Sequence, residues 1–279
     1  MASGTLDTPA GTTPTPPPTQ GDGRAQIGAR TLRTDNWRRA PILTVVLLSA
    51  WITYATVRAF MQQWYWVEEY HYLTPFYSPC VSVECDEDAA LFGRFVPGWP
   101  IFPYALLSLP VLGLFRLTCY YYRKAYYRSF WGSPPACGVP DMHSTYKGES
   151  RFPLILQNSH RYFFYGAAVL SLINTVDAAM AFRGSGGGFG MGLGSLILAG
   201  NALMLWAYTV SCHSCRHIIG GKLRHFSKHP VRYKAWGLVS RLNGKHMELA
   251  WTTLGTLLLT DLYIMSVSAG WISDLRLIG

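Results

Sequence analysis

Residues Leu193–Ile219 read LGSLILAGNALMLWAYTVSCHSCRHII and decide the fold class of this chain. No charged side chain interrupts the stretch before Arg216. About 20 mostly apolar residues in helical form cross the hydrocarbon core of a bilayer, and a helix satisfies its own backbone hydrogen bonds there. The stretch closes with CHSCRHII, where cysteines and histidines meet a basic loop. The sequence thus predicts a membrane helix with a polar group at one end.

Four further segments share this length and apolar character. They are residues 41–66, 99–122, 162–182 and 247–271. Aromatic side chains such as Trp64 and Tyr122 crowd the span ends, at the depth where such rings meet lipid headgroups. We therefore expect an all-α integral membrane protein. Five transmembrane helices, including span 193–219, would form a bundle within a membrane domain of residues 32–279.

Residues 1–31 differ from the rest of the chain. They are rich in proline, threonine and glycine and contain few large apolar side chains. This composition buries too little surface to offset the entropy of ordering the chain. The segment also lacks the basic start and apolar centre of a signal peptide. We expect a disordered tail.

The Lys and Arg residues indicate the orientation. They concentrate before the first span, between the second and third, and between the fourth and fifth. The opposite face carries only Arg94, Arg183 and Arg276. Since Lys and Arg stay on the cytoplasmic side, we expect the N-terminus inside and the C-terminus outside, in a multi-pass protein of the plasma membrane. The net charge of +9 then belongs to loops that face lipid or a soluble partner, and it does not indicate nucleic-acid binding.

The outer loop between the first two spans is acidic and contains Cys80 and Cys85. Disulfides form and persist on the oxidising side of a membrane. Two interpretations remain open at this point. Either the two cysteines form a disulfide that closes this small loop, or both are free thiols.

Four histidines occupy the cytoplasmic ends of the predicted spans: His160, His213, His217 and His246. His213 and His217 are four residues apart, so they share one helix face. Neutral imidazoles from facing helices are good axial ligands, and we interpret the four as ligands of haem iron without choosing a pair. Two alternatives remain: a metal bound by Cys212 and Cys215, or histidines that only contact headgroups and neighbouring polar groups.

Cations flank these histidines, namely Arg161, Arg216 and Lys245. They are placed to neutralise haem propionates. The alternative for each is an extended side chain that reaches lipid phosphate.

A second polar set lies in the outer half of the predicted bundle. Arg58, Asp177 and Asp261 fall within the first, third and fifth spans. Charge inside a membrane is costly, so each residue needs a partner or a function. An ion pair of Arg58 with Asp177 or Asp261 would tie helices together. Alternatively the set serves protons or quinone, together with Glu68 and Glu69 just beyond the first span.

Residues 212–251, CHSCRHIIGGKLRHFSKHPVRYKAWGLVSRLNGKHMELAW, resemble the membrane-anchor (cytochrome b) subunit of actinobacterial succinate dehydrogenases. The five-span plan is also similar to the single-subunit anchors of succinate:menaquinone oxidoreductases. The resemblance implies a flavoprotein and an iron–sulfur subunit docked on the cytoplasmic face, b-type haem, and menaquinone as substrate. By position it assigns the four histidines above to haem. A second haem would need a ligand near the outer face, where only His71, or a methionine such as Met180 or Met265, would serve.

The favoured function is therefore a membrane subunit of succinate dehydrogenase that passes electrons from an iron–sulfur partner through haem b to menaquinone. Another quinone-linked membrane cytochrome would fit the same histidines. A haem-free transporter is the remaining class, and transporters often contain internal repeats, of which none is evident. No G-x-G-x-x-G motif opens a helix after a strand, so neither a flavin site nor a succinate site is expected on this chain.

Overall fold

The computed structural model describes residues 33–139, 149–184 and 186–279, and the predicted disordered tail lies outside them. The described ranges are mostly helical. Their α-helices are α1 (Arg39–Met61), α2 (Ser108–Leu117), α3 (Tyr120–Phe130), α4 (His160–Met180), α5 (Leu193–Val210), α6 (His213–Gly220), α7 (Pro230–Asn243) and α8 (His246–Ser268). The strands are β1 (Trp66–Val67), β2 (Tyr72–Leu73), β3 (Met191–Gly192) and β4 (Arg276–Ile278).

Among the described residues, four helical segments are long and apolar enough to cross a membrane. They are α1, the segment Leu154–Met180 (which contains α4), α5, and α8. The outward faces of these helices carry large, exposed apolar side chains. Ile42 is 59% exposed, Leu203 70% and Leu259 65%. A water-soluble protein would bury such a surface, whereas lipid solvates it. The fold is that of a helical integral membrane protein.

The second predicted span, residues 99–122, is shorter in the structure than the sequence suggested. Its apolar helix α2 has only 10 residues, or about 15 Å of rise. Pro100 and Pro103 hold the preceding chain out of helical conformation, because proline lacks an N–H and restricts the residue before it. A short 3-10 helix, Tyr104–Leu106, follows Pro103, and helix α2 begins at Ser108.

The fourth predicted span, residues 193–219, is interrupted rather than continuous. Helix α5 ends at Val210, and α6 starts at His213 after a break at Ser211 and Cys212. A matching break at Thr118 and Cys119 separates α2 from α3. Each break places a cysteine between an apolar helix and a short, more polar one.

The bundle is organised around α5, which packs against α4 on one side and α8 on the other. Helix α2 packs on α4. A core of buried side chains, including Phe115, Phe164, Tyr208 and Leu254, fills the end of the bundle at which α4 and α8 begin. The two helix breaks open onto this core, because Cys119 and Cys212 belong to it.

The opposite end of the bundle is closed by two short antiparallel pairs, β1 with β2 and β3 with β4. Cys80 and Cys85 form a disulfide in the loop after β2, which confirms the first of the two interpretations for these cysteines. Arg58 of α1 forms a buried ion pair with Asp261 of α8. This contact selects Asp261 from the two partners that the sequence allowed.

Candidate functional site

The site begins with the two helix breaks. Cys119 precedes α3 with φ −65° and ψ 133°, and Cys212 precedes α6 with φ −64° and ψ 145°. Both are extended N-cap residues with buried side chains. Because an extended residue turns its side chain out of the helical register, each thiol projects into the bundle where a continuous helix would carry it elsewhere.

Two histidines face these thiols, and each is the first residue of its helix. His160 of α4 has Nε2 3.0 Å from the Sγ atom of Cys212. His246 of α8 has Nε2 3.6 Å from the Sγ atom of Cys119. Four separate segments of the chain therefore bring two thiols and two imidazoles together, and we call these four residues the Cys2His2 group.

The other nitrogen of each imidazole contacts a hydroxyl from the same helix breaks. Thr118 Oγ1 lies 2.9 Å from Nδ1 of His160, and Ser211 Oγ lies 2.6 Å from Nδ1 of His246. Such contacts fix the orientation and tautomer of a metal-binding imidazole. In both histidines Nε2 is the nitrogen directed toward sulfur.

Aromatic rings hold the imidazoles in place. Phe115 stacks on His160 with ring centroids 4.9 Å apart, and Tyr208 stacks on His246 at the same distance. The two aromatic rings also contact each other, at 5.4 Å. The histidines therefore flank one continuous aromatic unit, which fixes their separation.

A buried cation lies beside this unit. Arg116 is 6% exposed, and its guanidinium donates to the Tyr122 hydroxyl at 2.6 Å and to Thr253 Oγ1 at 3.2 Å. It also lies over the Tyr208 ring, 4.9 Å from the centroid. No carboxylate pairs with Arg116 in the part of the chain that the structure describes. The site consequently has a net positive field that favours a negatively charged group.

The donor set can be compared with the expected haem. A bis-histidine haem needs a slot for a macrocycle between its two axial nitrogens, yet each Nε2 here is in contact with a thiol. The residues present do not fit haem held by His160 and His246 in this arrangement. Two thiolates with two imidazoles are instead the ligand set of a Rieske-type [2Fe–2S] centre, in which two histidines replace two cysteines.

A single metal ion fits less well. Among residues 33–139, 149–184 and 186–279, no three Cys, His, Asp or Glu side chains surround one ion position. Tetrahedral zinc requires all of its donors within about 2.0–2.3 Å of one point. The described donors form two thiol–imidazole pairs, whereas a Rieske-type centre has both imidazoles on one iron and both thiolates on the other, so the donor set and not this pairing is what favours a two-iron group.

The remaining histidines of the predicted haem set lie on the surface. His213 and His217 are exposed on α6, and Arg161 donates to Nδ1 of His217 at 2.8 Å. Arg216 donates to Ser240 Oγ at 2.9 Å. Lys245 forms a direct, solvent-exposed ion pair with Glu248. The structure does not bring His217, Arg216 or Lys245 to the Cys2His2 group, whereas His213 directly follows Cys212 and is near enough to His160 and His246 to interact with both electrostatically.

The outer set is also separate from the Cys2His2 group. Asp177 is buried and accepts a hydrogen bond from Ser78, while Glu68 and Glu69 are exposed. His71 is 6% exposed and packs edge-on against Trp66, with ring centroids 4.6 Å apart. These residues lie at the far end of α8 from His246, and 23 helical residues span about 35 Å.

Sequence reasoning missed Cys119, Thr118 and Arg116 as members of the site. A cysteine between two apolar or aromatic stretches carries no local signal. The one available hint was chemical: Arg116 is the only charged residue of the apolar helix α2, so it needed a polar partner.

The fold and its buried thiol–imidazole group define a helical membrane subunit with a polar site near one bilayer surface. Residues 39–270 match the family model for the actinobacterial succinate dehydrogenase subunit SdhC. The chain belongs to this family, and it is a membrane-anchor subunit of a succinate dehydrogenase complex.

A solved structure agrees with the family match. The chain is similar to a chain of the Mycobacterium smegmatis Sdh1 complex in the apo form, with 62% sequence identity and a TM-score of 0.86. The similarity covers 92% of this chain and 98% of that chain. Because the relative belongs to a complex, this chain partners other succinate dehydrogenase subunits. No curated protein matches the sequence.

Proposed function

We propose that this chain is the electron-transferring subunit of a plasma-membrane succinate:menaquinone oxidoreductase and that the Cys2His2 group holds its redox centre. A flavoprotein and an iron–sulfur protein dock on the basic, cytoplasmic end and supply the electrons. The observation that carries the proposal is the convergence of Cys119, His160, Cys212 and His246 from four helix starts. Bound there, an iron–sulfur cluster supplies one-electron transfer.

The chain's own residues set the conditions for that transfer. Thr118 and Ser211 hold the imidazoles by Nδ1, which leaves each Nε2 for a metal. Phe115 and Tyr208 exclude water from the stacked faces of the rings. Arg116 adds positive charge that favours an additional electron at the site. The arrangement is suited to accept electrons at the cytoplasmic end and deliver them to quinone in the bilayer.

Haem b stays a prediction from the resemblance, and one experiment separates the two cofactors. The intact complex is purified and assayed for iron, acid-labile sulfide and haem, the last by its alkaline pyridine spectrum. The complex is also purified from cells grown with ¹⁵N-histidine and reduced. Pulsed electron paramagnetic resonance of this sample then tests for imidazole nitrogen bound to a cluster. We expect cluster signals coupled to histidine nitrogen. We expect the haem content to be well below one haem per chain.

Variants identify the ligands. Cys119→Ser and Cys212→Ser should each remove two irons per complex and the histidine-coupled signal. The matched control is Cys215→Ser, because Cys215 is also buried near the break but has no hydrogen bond to either histidine among the described residues, and it should retain both. Stoichiometric haem that disappears in His160→Ala or His246→Ala would overturn the cluster and restore the haem interpretation.

A further inference from the structure

A cleft outside the Cys2His2 group opens at the same end of the bundle. It has a volume of about 780 Å³ and lies between the start of α1, the helix α3 and the start of α8. Tyr121 lines the cleft, and its ring contacts the His246 ring, with centroids 5.5 Å apart. The cleft is therefore a neighbour of the site, separated from it by an aromatic side chain.

The polar wall of this cleft is strongly cationic. Arg39, Lys124 and Arg128 line it, and none of them pairs with a carboxylate among the described residues. Among the described residues that line the cleft, Asp35 is the only acidic one, and it is held by Arg33 through contacts of 2.6 and 2.5 Å. Three cations thus face one space with no carboxylate of the described residues paired to them, which favours an anionic ligand.

The other wall is apolar and continues into the membrane. Leu43 of α1 and Met247 of α8 line the cleft with 54% and 52% of their surfaces exposed, and Trp251 lies one turn deeper on α8. Below Leu43, the exposed apolar face of α1 follows the direction that an acyl chain takes in a bilayer. A ligand that fills this cleft needs negative charge at the surface and hydrocarbon beneath it.

We propose that the cleft binds an anionic phospholipid, with its phosphate against Arg39, Lys124 and Arg128 and its acyl chains along Leu43 and Met247. Basic pockets between membrane helices on the cytoplasmic side bind such headgroups. A quinone headgroup is neutral and gains little from three cations. A soluble protein segment would leave the apolar wall, which is continuous with the lipid-facing surface of α1, unfilled.

The test uses native mass spectrometry of the purified complex after exchange into mixed micelles. The micelles contain either phosphatidylglycerol and cardiolipin or phosphatidylcholine at equal concentration. We expect retention of an anionic lipid by the wild-type complex at least ~10-fold above phosphatidylcholine. The variant Arg39→Gln/Lys124→Gln/Arg128→Gln should lose most of that adduct.

A neighbouring residue supplies the control. Arg38→Gln removes the same charge one position away; Arg38 lies over the Trp37 ring at the edge of the cleft but is not one of the residues that line it, so this variant should retain the adduct. Arg39→Gln alone is the matched single variant, and because the side chain is exposed it should fold normally. Equal retention in the Arg38 and Arg39 variants, equal retention of phosphatidylcholine, or loss of a partner subunit in place of lipid would each overturn the proposal.

Discussion

The Nε atom of Arg58 lies 2.7 Å from the Oδ2 atom of Asp261, and the two side chains are 1% and 0% exposed. The pair joins the first long helix to the last. Asp261 also accepts hydrogen bonds from Tyr54 and Thr74, so its carboxylate is satisfied from several directions. A buried charge that is paired in this way depends strongly on its partner.

Removal of one member of this pair should destabilise the chain much more than removal of both. We expect Arg58→Met or Asp261→Leu alone to cost roughly 3–5 kcal/mol, because each leaves an uncompensated buried charge, and the double variant to recover most of that loss. Thermal unfolding of the detergent-solubilised complex measures the cycle. Additive losses in the double variant would show that the two charges act independently.

The hydroxyls that orient the imidazoles should control occupancy of the redox centre. We expect Thr118→Val and Ser211→Ala to lower metal affinity by roughly 10–100-fold, the usual effect of losing such an orienting contact. Iron and sulfide retained after dialysis against a chelator give the measurement. Thr252→Val is a suitable control, since Thr252 is exposed and bonds only to its own helix; an equal loss there would indicate general unfolding.

Arg116 should raise the reduction potential of the group that it faces. Arg116→Met is expected to lower the midpoint by on the order of 50 mV, because about 1.4 kcal/mol corresponds to about 59 mV for one electron. Arg116→Lys keeps the charge and should recover part of the change. Potentiometric titration followed by electron paramagnetic resonance measures both. A midpoint that is equal in all three proteins would remove Arg116 from the electrostatics of the site.

Orientation is tested by reporter fusions. A fusion near Lys228 should report the cytoplasm, and one near Asp86 should report the outside, since Lys and Arg concentrate on the first side. The Cys80–Cys85 disulfide suits an oxidising exterior for the same loop. An external signal from the Lys228 fusion would place the Cys2His2 group near the outer surface and contradict cytoplasmic docking.

The stability of the outer end should fall in acid. Burial lowers the pKa of His71 below its ordinary 6.5, and the positive charge of Arg183 acts in the same direction, while Asp88 opposes it. The unfolded chain therefore binds more protons than the folded chain between these two pKa values, so stability decreases as pH falls below about 6.5. His71→Gln should flatten this dependence in thermal unfolding between about pH 7 and pH 5. An unchanged slope would assign the acid sensitivity to other groups.

The membrane-spanning helices, and the need of a buried charge for a partner, could be predicted from the sequence. The apolar runs predicted a helical membrane protein, and the buried Arg58 required a partner on another helix because unpaired charge is costly in lipid. The short spacing of Cys80 and Cys85 also indicated a local loop. In each case the signal lay within a single segment or followed from a cost that any fold must satisfy.

The contacts between the two thiols and the two imidazoles could not be predicted from the sequence. Cysteine does not break helices by itself, so the breaks at Cys119 and Cys212 left no local mark comparable to Pro100 and Pro103. Which side chains meet across those breaks depends on how α2, α4, α5 and α8 pack. His160 and His246 were identified as candidates, but their sulfur partners come from tertiary structure alone.

The four donors of the Cys2His2 group come from four separate helix starts, and this affects when the group can form during biosynthesis. Cys119 and His246 are separated by 127 positions, so the last donor emerges only when the final long helix is translated. Membrane insertion must then finish, and α8 must dock beside α5, before a metal group finds its complete set of ligands. If the proposed cluster is bound there, its assembly would be a post-translational event that takes place on an inserted and folded bundle.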